Sequence, residues 1–126
     1  GRRIERALDL YRGDLFHDES AGDWLPDAAD RLRRLYAEGL STLADIRQEE
    51  QELEAASEIL TRLVWVDTLR EEAYRRLMNV LARTGRRDEA LRHYARLTAL
   101  LQRELDAEPE PETQQLADRL RSGSQE

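Results

Sequence analysis

Residues 40–63 read LSTLADIRQEEQELEAASEILTRL, and residues 74–97 read YRRLMNVLARTGRRDEALRHYARL. Laid over each other at an offset of 34 residues, Leu40, Leu43, Ala44, Ala56, Leu60 and Leu63 meet Tyr74, Leu77, Met78, Ala90, Tyr94 and Leu97. Each position is apolar or small in both copies. An offset of this size is the period of a helix–turn–helix unit, in which a small residue early in the second helix lets two helices approach closely. Ala56 and Ala90 are those small residues. One such unit cannot bury its own apolar face and must stack on a neighbour.

The period is that of tetratricopeptide repeats, and the fold it predicts is an all-α stack of helical hairpins with about six helices. Working outward, Ile4, Leu8 and Tyr11 predict a short first helix that Gly13 ends. Residues 13–23 have loop composition, with Leu15 and Phe16 expected to tuck against the first helices. A long helix follows from about Leu25, with Pro26 in its first turn, where the missing N–H is harmless. Leu32, Leu35, Tyr36, Leu40, Leu43, Ala44 and Ile46 are expected on its buried face. The next helix, Leu53 to Val66, presents Leu53, Ala56, Leu60, Leu63 and Val64 inward.

Thr68-Leu69-Arg70-Glu71 reads as a capping box, with Thr68 as the cap. The helix it opens carries Ala73, Leu77, Leu81 and Ala82 and stops at Gly85, which can take the left-handed conformation. A fifth helix, about Arg87 to Leu105, shows Ala90, Leu91, Tyr94, Leu97, Leu100 and Leu101. Pro109 interrupts the pattern, and Pro111 opens a last helix holding Leu116 and Leu120, a polar-sided cap for that end of the stack. The domain is thus expected over residues 1–121, with residues 122–126 a disordered tail that has nothing to bury. Acid–arginine pairs four apart (Glu58 with Arg62, Glu71 with Arg75, Glu72 with Arg76, Asp88 with Arg92) support the helices.

The chain has 126 residues, 40% hydrophobic and 37% charged, which suits one helical domain with a narrow apolar stripe on each helix. It opens on Gly1 rather than methionine, so an excised segment of a longer protein is expected. No run approaches the length of a membrane-spanning helix, and no cysteine is present, which is compatible with the cytoplasm. Net charge is −7, from 27 acidic residues against 20 arginines. Gripping a phosphate backbone takes clustered positive charge, and the arginine doublets here mostly have acids a turn away. Direct contact with nucleic acid is therefore not expected.

The residues also speak against catalysis. Asp14, His17, Asp18 and Glu19 share a loop, but a zinc site needs three or four nitrogen or sulfur ligands and only His17 qualifies. The alternating oxygens and the glycine of a calcium loop are missing. His93 has Glu89 one turn earlier and reads as an exposed helix pair. There is no phosphate loop, nucleophile elbow or Cys–His pair, so no enzyme, metal or cofactor is expected. Trp24 and Trp65 read as packing residues, Trp24 clamping the first hairpin and Trp65 packing on the next one.

Leu8-Asp9-Leu10-Tyr11-Arg12-Gly13, then Trp24, then Arg31-Leu32-Arg33-Arg34-Leu35-Tyr36 resembles the opening of the bacterial transcriptional activator domain. So does Asp67-Thr68-Leu69-Arg70-Glu71-Glu72-Ala73-Tyr74, followed by Gly85-Arg86-Arg87-Asp88-Glu89-Ala90-Leu91, and the close Leu105 to Glu108-Pro109-Glu110-Pro111-Glu112-Thr113. Tyr11, Gly13, Trp24, Ala56, Gly85, Ala90 and Pro111 are the structural signature. Members often carry proline where Thr68 stands, serine where Glu110 stands, and a glycine–aspartate pair around Gln51-Glu52.

The resemblance implies a regulatory, protein-interaction and oligomerisation domain of a bacterial transcription regulator. It would act beside a separate DNA-binding domain and contact that domain, the transcription machinery or a second subunit. A homodimer contact is expected at the N-terminal end, around Ile4, Leu8 and Tyr11. The alternative is a stand-alone tetratricopeptide adaptor that binds a peptide in its groove. Arg75 and Asn79, four apart and off the apolar stripe, resemble the pair that some tetratricopeptide domains use to hold a peptide carboxylate. An ordinary exposed helix face is the simpler reading of the same two residues.

Overall fold

A computed structural model of the chain describes residues 25–123. Among them are five helices: α1 (Leu25–Glu49), α2 (Leu53–Val66), α3 (Glu71–Arg83), α4 (Arg87–Leu105) and α5 (Pro111–Ser122). They are the second to sixth of the six expected. The first, over Ile4 to Tyr11, lies outside the described residues, as do Gly13, Trp24, the segment of Leu15 and Phe16 and the loop of His17. No strand occurs among the described residues.

Helices α1 and α2 form one hairpin and α3 and α4 a second; contact between α2 and α3 joins the two. Helix α5 lies against both α3 and α4. The offset in the sequence is the offset in the core: of the twelve aligned residues, all but Tyr94 are buried, and Tyr94 packs against the cluster from its edge. Ala56 and Ala90 are both fully buried, where any larger side chain would have to displace a neighbour. Helix α3 sits at the centre. It buries Ala73, Tyr74, Leu77, Met78, Val80, Leu81 and Ala82, more of its circumference than a one-sided stripe predicts, because it packs against α2, α4 and α5.

The repeat extends to the turns. After α3, Gly85 takes φ 81°, its N–H donates to Ala82 O at 3.1 Å, and the Arg86 N–H donates to Leu81 O at 2.8 Å. This pair of bonds satisfies carbonyls that the helix end would leave open. After α1 the same pattern recurs one period earlier. Gln51 takes φ 61°, its N–H donates to Gln48 O at 3.0 Å, and the Glu52 N–H donates to Arg47 O at 2.8 Å. The turn geometry survives although the glycine does not. The start of α5 is also as read, with Pro111 in the first helical position.

Other local expectations are corrected. Thr68 is not a helix cap: α3 begins at Glu71, its flanking residue Arg70 makes no side-chain cap bond, and Thr68 lies in the preceding turn. The Arg70 N–H closes that turn on Asp67 O at 3.1 Å, and Thr68 contributes its carbonyl to Tyr74 instead. Leu35 is 67% exposed rather than on the buried face of α1. It precedes the buried Tyr36 by one residue, a rotation of roughly a hundred degrees away from the core. The last helix includes Ser122, whose Oγ donates to Arg119 O at 3.0 Å, and ends at Gly123 with φ 79°.

Candidate functional site

Arginines of α3 and its leading turn link that helix to α1 on one side and to α5 on the other. Arg70 reaches back to Glu38 on α1 at 3.0 Å. Arg76 donates to Ser41 Oγ at 3.0 Å and Ser41 O at 3.2 Å, and pairs with Asp45. On the other side Arg75 Nη1 donates to Glu110 Oε1 and Thr113 Oγ1, each at 2.9 Å, while the Glu71 carboxylate accepts the Glu110 N–H. Between the hairpins, Arg86 pairs with Glu54 at 2.9 Å and Arg83 with Gln51 at 3.3 Å. These links join residues 31 to 39 apart, about one repeat. Of the four acid–arginine pairs expected within helices, only Glu72–Arg76 forms among the described residues, at 3.5 Å. Arg70, Arg75, Arg76 and Arg86 reach across repeats as well.

A cleft of about 470 Å³ lies between α3 and α5, and both Arg75 and Asn79 line it. Arg75 is committed to anchoring α5, whereas Asn79 is exposed. Gln115 and Arg119 of α5 line the opposite wall and are exposed too. The sequence reading missed Ser41, Thr113, Gln115 and Arg119. Ser41 and Thr113 carried a readable signal, as hydroxyls set beside apolar stripes of α1 and α5, where a buried polar group needs a partner.

Away from this face, Trp65 does not enter the core: it is 61% exposed at the end of α2. Its contact with the following hairpin is the Arg96 guanidinium, 3.6 Å from the ring centroid. Arg96 Nη1 also donates to Tyr74 Oη at 2.9 Å, and Tyr74 Oη donates to Thr68 O at 2.9 Å. Burial pushes the Tyr74 phenol up from its ordinary value, partly opposed by the Arg96 charge. His93 is half-buried rather than exposed, and burial lowers its pKa against the raising effect of Glu89. The Glu89 carboxylate is itself held below its usual range by Arg86, which binds it through two nitrogens at 3.0 and 3.1 Å.

The polar side chains of this stack hold its repeats together, and the sequence matches the bacterial transcriptional activator domain over residues 1–121. The chain belongs to that family. It is 36% identical over 118 residues to Regulatory protein AfsR of Streptomyces coelicolor, covering 93% of this chain. The chain spans 12% of the length of that relative. No solved structure matches it. As a transcriptional activator domain it belongs to a regulatory family rather than an enzyme family. Among the described residues, no helix is long and apolar enough to cross a membrane.

Proposed function

We propose that this domain is the protein-interaction and oligomerisation module of a bacterial transcription regulator, acting in the cytoplasm beside a separate DNA-binding domain. The observation that carries the reading is membership of the transcriptional activator domain family over nearly the whole chain. Charge supports the division of labour. The net charge is −7, and in the doublets Arg33-Arg34, Arg75-Arg76 and Arg86-Arg87 at least one arginine is already paired with an acid of the same chain. That leaves little clustered cation to displace counterions from DNA. The domain contacts its own DNA-binding domain, the transcription machinery or a second subunit, and a homodimer would meet at the N-terminal end around Ile4, Leu8 and Tyr11.

Titrating the chain with duplex DNA between about 50 and 200 mM salt tests this directly. No salt-sensitive affinity is expected, while removing the domain from its parent regulator abolishes activation and leaves promoter binding in place. Tight binding of the domain itself to duplex, falling steeply with salt, would overturn the reading. Sedimentation at high concentration reads the dimer, and a monomer throughout would remove the oligomerisation role.

A further inference from the structure

We infer that the exposed Trp65 ring, with Arg62, Arg92 and Arg96 around it, is a docking surface for an acidic segment of a protein partner anchored by an apolar side chain. The inference rests on the protein-interaction reading above and adds the surface and the chemistry that fits it.

Two links show how α2 and α4 lie. Arg86 pairs with Glu54 at one end, and Arg96 Nη1 reaches Val64 O at 3.5 Å at the other, each across 32 residues. An equal offset at both ends means that the two helices run parallel and in register. Their core sides carry Ala56, Leu60 and Leu63 on α2 and Ala90, Leu97 and Leu101 on α4. Helical spacing then puts Glu58, Arg62 and Trp65 on the outer side of α2, and Asp88, Arg92, Ala95 and Ala99 on that of α4. All seven are exposed. Toward the helix C-termini this face is a tryptophan ring beside two small alanines, with arginines at its edge.

The positive charge here has no acid of its own. Arg62 and Arg92 make no ion pair among the described residues: Glu58 and Asp88, each one turn earlier, stop short of them, and Glu89 is taken by Arg86. Arg96 is partly buried, yet only neutral groups hold it, namely Tyr74 Oη at 2.9 Å, Val64 O and the Trp65 ring. Both of its hydrogen bonds leave from Nη1, so the Nε–Nη2 edge keeps its donors. That edge is the planar fork that takes a carboxylate through two parallel bonds. Partial burial also screens such a charge less than full exposure would. Trp65 stays 61% exposed with the guanidinium over it, which leaves ring surface for an apolar side chain. Tryptophan and arginine are the residue types that most often anchor protein interfaces.

Sign and extent together select the partner. This is a positive spot on a chain of net charge −7, which calls for an anion. Glu58 and Asp88 bound the spot one turn away, so a phosphate backbone running along the face would meet them. A short segment with one or two carboxylates beside a leucine meets the fork and the ring without reaching that rim.

The test is a titration of the chain with a short blocked peptide of glutamate–leucine pairs. It is read on the emission and indole N–H signal of Trp65, which Trp65→Phe identifies. Glutamine–leucine and glutamate–alanine peptides are the controls for charge and anchor, and a single-stranded oligonucleotide is the arm for the other class of polyanion. Saturable shifts are expected with the first peptide, none with the glutamine form and weaker ones with the alanine form. Arg62→Gln and Arg92→Gln should each weaken binding about three- to tenfold, the loss of one charge-assisted contact. Their urea midpoints stay at the parent value, because neither side chain holds another among the described residues. Arg31→Gln, at an exposed arginine of α1, should leave affinity unchanged and so separates this surface from overall charge. Equal binding of the glutamine peptide, affinity unmoved in both variants, or an oligonucleotide that outcompetes the acidic peptide would overturn the assignment. A Trp65 signal that moves with chain concentration alone gives the surface to a second copy and overturns it too. Silence with both peptide and duplex DNA removes this surface only, whereas salt-sensitive duplex binding removes the protein-interaction role itself.

Discussion

Gln51 and Gly85 hold the same left-handed backbone one repeat apart, at φ 61° and 81°. Left-handed backbone costs a residue with a Cβ about 1–2 kcal/mol that glycine avoids, so one turn is strained where its twin is not. Gln51→Gly is therefore expected to stabilise the chain by about 0.5–1 kcal/mol, after glycine's larger unfolded-state entropy and the exposed Arg83 bond are subtracted. A Cβ at Gly85 would meet nothing within 4 Å. Gly85→Ala isolates the backbone cost and should destabilise by about 1–2 kcal/mol. Urea midpoints that move in the same direction for both variants would contradict the shared geometry.

Ala90 is fully buried where α4 meets the core. Ala90→Leu adds volume that only a helix shift can make room for, at about 1–3 kcal/mol. The same substitution at Ala56, its partner in the repeat, should behave alike. Thermal unfolding of either variant at the parent temperature would count against close crossings at these residues.

Arg96 covers the Trp65 ring and donates to Tyr74 Oη. Arg96→Met keeps most of the aliphatic stem but loses the cation over the ring and the hydrogen bonds to Tyr74 Oη and Val64 O. Destabilisation of roughly 1–2 kcal/mol should follow, with a shift in tryptophan emission from the change at Trp65. An unchanged emission spectrum in Arg96→Met would mean the guanidinium does not rest on that ring in solution.

Burial holds the His93 pKa below its unfolded value of 6.5. A lowered imidazole pKa favours the neutral form in the fold. Its contribution to stability is complete above the unfolded pKa and is lost as pH falls through the folded one. Urea stability of the chain should therefore decline on acidification below about pH 6.5, and His93→Gln should flatten that decline. Should His93→Gln leave the acid limb as steep as before, other groups set it.

Much of the fold was legible because one repeat reinforces another. Leu40 to Leu63 alone would be two ordinary amphipathic stretches, but their registry with Tyr74 to Leu97 fixes a hairpin and its stacking. What stayed hidden depends on neighbours. Leu35 and Trp65 are hydrophobic enough for a core, and only the position of the other helices tells that both stay more than half exposed among the described residues. Likewise Arg75 has Glu71 one turn away, the pair any helix rule selects, yet binds Glu110 just ahead of α5. A helix rule sees four residues; the arginine reaches thirty-five. Asn79 was visible as a polar residue off the stripe, while Gln115 and Arg119 acquired meaning only when α5 closed the cleft.

The period of the polar links also governs how the chain finds its fold. Among the described residues, the hydrogen bonds that leave their own helix and its turns span 22 to 39 positions of 126. No distant pair has to meet before its neighbours do, so the loop to be closed at each step is short and its entropic cost modest. Helical stacks closed by links to the neighbouring repeat belong to the topologies that fold fast. A nascent chain could thus complete each hairpin soon after its second helix is made, leaving little time for an exposed apolar stripe to find the wrong partner.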